Sequence, residues 1–243
     1  MSSKSKAPAT SVNTISTPYE TSALRKGLRS FLNQPVENPA APGVKRLGAY
    51  KYGVYAFYDY DDEPIYVGQT REQLSSRIGR HLTNQRTDAV AMNVLDPYEV
   101  YAIAVWPVPE FQNRKTSDPE VKTYMDDLEA AVFEKLLKES KFGAVLNEKV
   151  PVSDRKVKLP ECVKSIIVDD KVRELRGHPD IRLARRAVTI SRLAQVISER
   201  EVQPGLRRTL LIQAERLRWL AEQRYKPFET EAQKDDKEAG GEE

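Results

Sequence analysis

With 243 residues and 40% hydrophobic content, the chain can bury one ordinary domain and a smaller appended one without covalent help. Its single cysteine, Cys162, excludes an internal disulfide or a multi-cysteine zinc site, and its two histidines, His81 and His178, exclude a multi-histidine metal centre. The net charge of +3 conceals a partition: residues 1–150 carry 19 basic and 19 acidic side chains, residues 151–228 carry 18 and 10, and residues 229–243 carry 2 and 7. A basic segment suits a polyanion, because each neutralised phosphate releases condensed counterions. No run approaches the roughly 18 apolar residues of a membrane span, and the Ser- and Thr-rich start lacks a signal-like apolar core. The expectation is a soluble, cytoplasmic protein.

In chain order, residues 1–18 lack periodicity and are expected to be disordered. Residues 19–47 hold a helix at 21–33, with Leu24, Leu28, Phe31 and Leu32 on one stripe, followed by the linker ENPAAPG. GVYAFYDY, the turn-like DDEP and IYV predict a hairpin. A helix is expected at 71–85, a buried strand at 99–108, and a longer helix opened by Ser117 or Asp118 with Pro119 and running to Glu139. Residues 48–150 thus read as a compact α+β unit. Residues 151–228 read as a basic helical region with strong helical segments at 179–200 and 204–225, and residues 229–243 as an acidic disordered tail.

Helical geometry sorts the polar residues. With Leu74 at 0° and ~100° per residue, Leu74, Ile78 and Leu82 form a buried stripe, Arg77 (about −60°) and His81 (about −20°) border it, and Arg80 (about −120°) points outward. A guanidinium at such a border can fork onto two phosphate oxygens, or it can simply snorkel from a helix edge. In the second helix Glu129 falls inside the apolar arc of Met125, Leu128, Val132, Phe133 and Leu136, while Asp126, Asp127, Glu134 and Lys138 lie mainly outside it and are expected to be solvated. An unpaired ionised acid in an apolar arc is costly, so such a group is paired, as in a salt bridge to Arg77, hydrogen-bonded, protonated or bound to a metal ion. Oxygen ligation favours a hard ion such as Mg²⁺, which needs few protein ligands.

GVY at 53–55, YVG at 66–68, a helix bearing SRIGRH, another bearing LEAAVFEKL and then LNEK together resemble the GIY-YIG nuclease family over roughly residues 48–150. The resemblance implies a small antiparallel β-sheet flanked by helices and followed by an α-helical C-terminal region. It implies that Tyr55 activates water, Tyr66 joins the hydrogen-bond network, Arg77 contacts the scissile phosphate, His81 fills a slot that is tyrosine or histidine in the family, Glu129 binds the metal and Asn147 closes the site. Two features depart from the pattern: Gln69 follows YVG where many members have lysine, and the Glu129 to Asn147 interval is long. Arg80 is the fallback for Arg77.

The expected activity is Mg²⁺-dependent DNA endonuclease chemistry, with Mn²⁺ as a substitute, in a restriction or phage-defence setting. Phosphodiester hydrolysis requires charge neutralisation and in-line water. A phenol of ordinary pKa about 10 is a poor base, so Tyr55 acts as the base or as a relay with help from His81, Tyr66 or a nearby cation. Arg185, Arg186, Arg207 and Arg208, with Arg80, are candidate DNA contacts, although core packing of the helices is a competing reading. A homo-oligomer or a larger defence or repair complex is compatible with the sequence. The alternatives are a non-catalytic nucleic-acid-binding or interaction protein on the same scaffold and, more weakly, RNA cleavage.

Overall fold

In the computed structural model, which describes residues 19–83 and 94–239, the aromatic-rich stretches Gly53–Tyr58 (β1) and Pro64–Thr70 (β2) form the expected antiparallel hairpin. Asp59 closes the turn. Its Oδ1 accepts from the backbone N–H groups of Asp61 at 2.8 Å and Glu63 at 3.1 Å, and Asp62 adopts a φ of 56°, a left-handed conformation that aspartate tolerates. Ala102–Pro107 (β3) pairs antiparallel with the other edge of β1, within the span predicted as a strand. Val163–Ile166 (β4) pairs with β3, giving the sheet order β2-β1-β3-β4. The segment taken as wholly helical after residue 160 therefore also supplies an edge strand. VKSI spans only four residues, too short for a period-two signal to stand out.

The first two helices are Tyr19–Leu32 (α1) and Leu74–Leu82 (α2), each within a few residues of its expected span. Pro119–Glu139 (α3) starts where its sequence says it should: Asp118 is the cap, accepting from the Glu120 N–H at 3.0 Å, and Pro119 occupies the first turn. Asp170–Gly177 (α4) is short, and Pro179–Glu199 (α5) and Pro204–Ala239 (α6) form an antiparallel pair. α6 continues through 239, into the stretch expected to be a disordered tail. Residues 1–18, 84–85 and 240–243, about which disorder or a helix end was expected, lie outside the described residues.

Alternation along β1 divides the core. Val54, Ala56 and Tyr58 face α3, meeting Met125, Leu128, Val132 and Leu136, whereas Tyr55 and Phe57 face α1 and α2, meeting Leu28, Leu74 and Ile78. Leu193, Val196, Leu206 and Ile212 of α5 and α6 join the second core, so the C-terminal helices are built onto the sheet rather than hung from it. Among the described residues, no helix is long and apolar enough to cross a membrane.

Candidate active site

The site forms where the two faces of the sheet meet around β2, an edge strand. On the α2 face, the register places Tyr55 opposite Gly68 and Phe57 opposite Tyr66. Tyr55 is fully buried, and its ring crosses directly over Gly68: a Cβ at that position would sit 2.7 Å from the Tyr55 hydroxyl and 2.9 Å from Tyr66. The glycine of YVG is thus the gap through which the Tyr55 phenol reaches the site. The Tyr55 hydroxyl lies 3.1 Å from His81 Nδ1, and either atom can donate according to the histidine tautomer. Tyr66 stacks on Phe57 at 5.7 Å between ring centres and meets the His81 ring edge-on at 4.4 Å.

Arg77 is half-buried beside these phenols. Burial works against its charge, yet Tyr55 and Tyr66 hold its guanidinium above the ordinary value, and its Nε has no hydrogen-bond partner among the described residues. Arg80 is differently placed. Both its terminal nitrogens engage the Glu72 carboxylate, one at 2.9 Å, so its charge is already answered. This separates Arg77 from its fallback.

On the opposite face, Gln69 follows YVG and points toward α3. Its amide nitrogen donates to Asp126 Oδ1 at 2.6 Å and to Glu129 Oε2 at 3.1 Å, drawing two carboxylates one helical turn apart toward one point. Burial pushes the Glu129 carboxyl up from the usual range; the Gln69 amide opposes this, the Asp126 charge adds to it, and the Arg77 charge acts only weakly. Among the described residues, Glu129 has no salt bridge, so the expected alternative of a bridge to Arg77 is not what is found. Asp126 is exposed, as expected, yet it belongs to the site, and its i,i+3 spacing to Glu129 was the signal that could have shown this. Asp127, expected to be solvated, is buried and accepts from the Ser153 hydroxyl at 2.5 Å.

A cleft of about 570 Å³ joins the faces, with Tyr66 and His81 on one wall and Gln69, Asp126 and Glu129 on the other. A sheltered carboxylate without a cation, a second carboxylate beside it and a buried, unpartnered Gln69 Oε1 make a donor set of hard oxygens. That set fits a divalent ion of the Mg²⁺ type. No group of three or more His, Cys, Asp or Glu suited to a metal occurs among the described residues, so such an ion would keep several waters.

Asn147 reaches the cleft but is occupied. Its side chain accepts from the Val67 N–H at 3.0 Å and donates to the Val67 carbonyl at 2.8 Å, clamping β2 between Tyr66 and Gly68 like one more strand. Arg208 of α6 in turn donates to the Asn147 carbonyl at 2.7 Å and the Glu148 carbonyl at 3.2 Å. Asn147 therefore positions the strand that carries Tyr66 and Gln69, and the C-terminal pair braces it.

The other expected DNA contacts divide sharply. Arg186, 3% exposed, is turned inward to Asp59 at 2.9 Å and Glu99 at 3.3 Å, which removes it from any DNA-facing surface. Arg185 pairs with Asp96 at 3.5 Å and Glu20 at 3.6 Å. Arg207 is exposed, and no ion pair engages it among the described residues.

A family model described as GIY-YIG catalytic domain matches residues 51–141. No curated protein and no solved structure matches the chain. Asn147 and the brace from α6 lie beyond the matched segment.

Proposed function

We propose, from the match of residues 51–141 to a GIY-YIG catalytic domain model, that this chain is a divalent-metal-dependent DNA endonuclease that hydrolyses phosphodiester bonds in the cleft around β2. The observation that carries the reading is Glu129: a sheltered carboxylate with a raised proton affinity and no cationic partner among the described residues, across the cleft from Tyr66 and His81. An acid kept so at a cost has a ligand to meet.

Glu129, with Asp126 beside it, would hold the ion; bound there, a divalent cation supplies Lewis-acid charge to the phosphate and the leaving 3′-oxygen. Arg77 offers a fork to the non-bridging oxygens from a half-dry position, where its charge is weakly screened. Tyr55 and His81 move the proton. As water attacks, the Tyr55 oxygen accepts its proton while the Tyr55 hydroxyl proton passes to His81 Nδ1, 3.1 Å away. This relay requires a neutral His81 with its proton on Nε2, and it spares Tyr55 a full ionisation, which a phenol resists near neutral pH. Asn147 and Arg208 act on the position of β2 rather than on the phosphate. We place the biological setting among restriction or defence nucleases on the histidine at position 81, a choice that comparison of modified with unmodified DNA would test.

The deciding experiment is incubation of supercoiled plasmid with wild type, Arg77→Ala and Glu129→Gln, each with Mg²⁺, Mn²⁺ or EDTA. The reading requires cutting by wild type in metal alone and loss in both variants. Equal cutting by all three would sink the site assignment.

A further inference from the structure

A second cationic feature lies on the far side of α2 from the cleft. A groove of about 480 Å³ runs between α1 and α2, lined by Arg25 and Arg29 of α1, Arg46, Asn33, Ser75 and Thr83, and no acidic side chain among the described residues lines it. All three arginines are exposed, and Arg46 donates only to the neutral Asn33 amide oxygen at 3.1 Å. None of the three has an ion pair among the described residues, in contrast to Arg80 and Arg185. Three uncompensated guanidiniums with hydroxyl and amide donors between them match a row of phosphates.

The platform is fixed. α1 buries Leu24, Leu28, Phe31 and Leu32 in the core, and its Gly27 lies so close to the backbone after β4 that a Cβ would stand 1.8 Å from the Ile167 carbonyl oxygen. The groove also continues from the site. Around α2, His81 lines the cleft with Arg77 one turn before it, Arg80 lies further round, and Thr83 and Ser75 line the groove, about 120° and 160° from Arg77 by the helical period. A helix with its side chains is about 10–12 Å across, which along the axis of a duplex corresponds to the rise of about three phosphates of one strand at ~3.4 Å each. Position, charge and spacing agree.

We infer that the Arg25–Arg29–Arg46 groove holds the DNA backbone beside the scissile bond, so that the duplex crosses α2 with one phosphate at Arg77 and its strand neighbours on α1. This rests on the nuclease reading and extends it to three arginines outside the matched family segment. The groove positions substrate and takes no part in bond breaking.

The test uses the full chain and a fluorescent duplex in EDTA, with affinity measured from low to high salt. Replacing the three arginines together with glutamine should lower the slope of log affinity against log salt by ~2–3, because each phosphate contact contributes ~0.9. Replacement by lysine should restore most of the slope, since the charge is retained. With metal added, the glutamine variant should cut more slowly than wild type at sub-saturating duplex and approach it as duplex is raised, and its melting temperature should match. A salt slope unchanged in the glutamine variant would overturn the groove while leaving the nuclease reading intact. A wild type that binds no duplex at any salt would overturn both.

Discussion

Two clusters of charge lie toward opposite ends of the β1–β2 hairpin, and they are balanced differently. At the turn, buried Asp59 accepts from Arg186 at 2.9 Å and from Arg216, with Arg182 at 3.4 Å; Arg182 also binds Asp61 at 2.6 Å, and Arg186 binds Glu99 at 3.3 Å. Three arginines of α5 and α6 answer three acids of the sheet side. At the other end, Glu129 and Asp126 share one neutral amide, and Arg77 faces phenols. The first cluster is internally neutralised and holds the C-terminal pair to the sheet. In the second, neither acid and no nitrogen of Arg77 forms an ion pair among the described residues. Charge matched within the fold reads as structure, and charge left unmatched at a cleft reads as a binding site.

The largest expected effect breaks the matched cluster. Asp59→Asn leaves Arg186 and Arg216 buried without their common carboxylate and should cost about 3–5 kcal/mol, measured by urea unfolding. A loss under 1 kcal/mol would mean that this cluster is not what fixes α5 and α6. Arg77→Ala should act the other way, lowering the cleavage rate at saturating DNA by ~10²–10³ with little change in unfolding. Tyr55→Phe keeps the ring over Gly68 and removes the relay hydroxyl, so a ~10²-fold rate loss at saturating DNA is expected. The smallest effect belongs to the brace. Arg208→Ala should cost about 1 kcal/mol and lower kcat with KM nearly unchanged, whereas a raised KM and an unchanged kcat would return Arg208 to the role of DNA contact.

These contrasts also explain what could be read from residue order. The directions in which Tyr55, Tyr66, Arg77, His81 and Glu129 point were legible because strand alternation and helical period fix them, and their order carries a family resemblance. The α+β class and five of the six α-helices among the described residues followed from the same local signals. Arg186 was misread because its helix shows only that it is charged: the acids that bury it, Asp59 and Glu99, lie 127 and 87 residues away. Asn147 was placed in the site, but its role was not visible, since the clamp on Val67 spans 80 residues. The α1 groove was not legible, because its third arginine, Arg46, arrives from beyond a linker.

The central claim is that Glu129 carries an unmatched charge for the sake of a ligand. A carboxyl whose proton affinity is raised in the folded chain lowers stability as pH climbs through its folded-state pKa, and the deficit persists above it. The most direct measurement is therefore the melting temperature of wild type and Glu129→Gln at pH 8, each without metal and with Mn²⁺. The expected result is a metal-free variant at or above wild type, with Mn²⁺ raising the melting temperature of wild type alone. A metal-free variant that melts well below wild type, with Mn²⁺ shifting neither protein, would contradict it and return Glu129 to the class of Asp59.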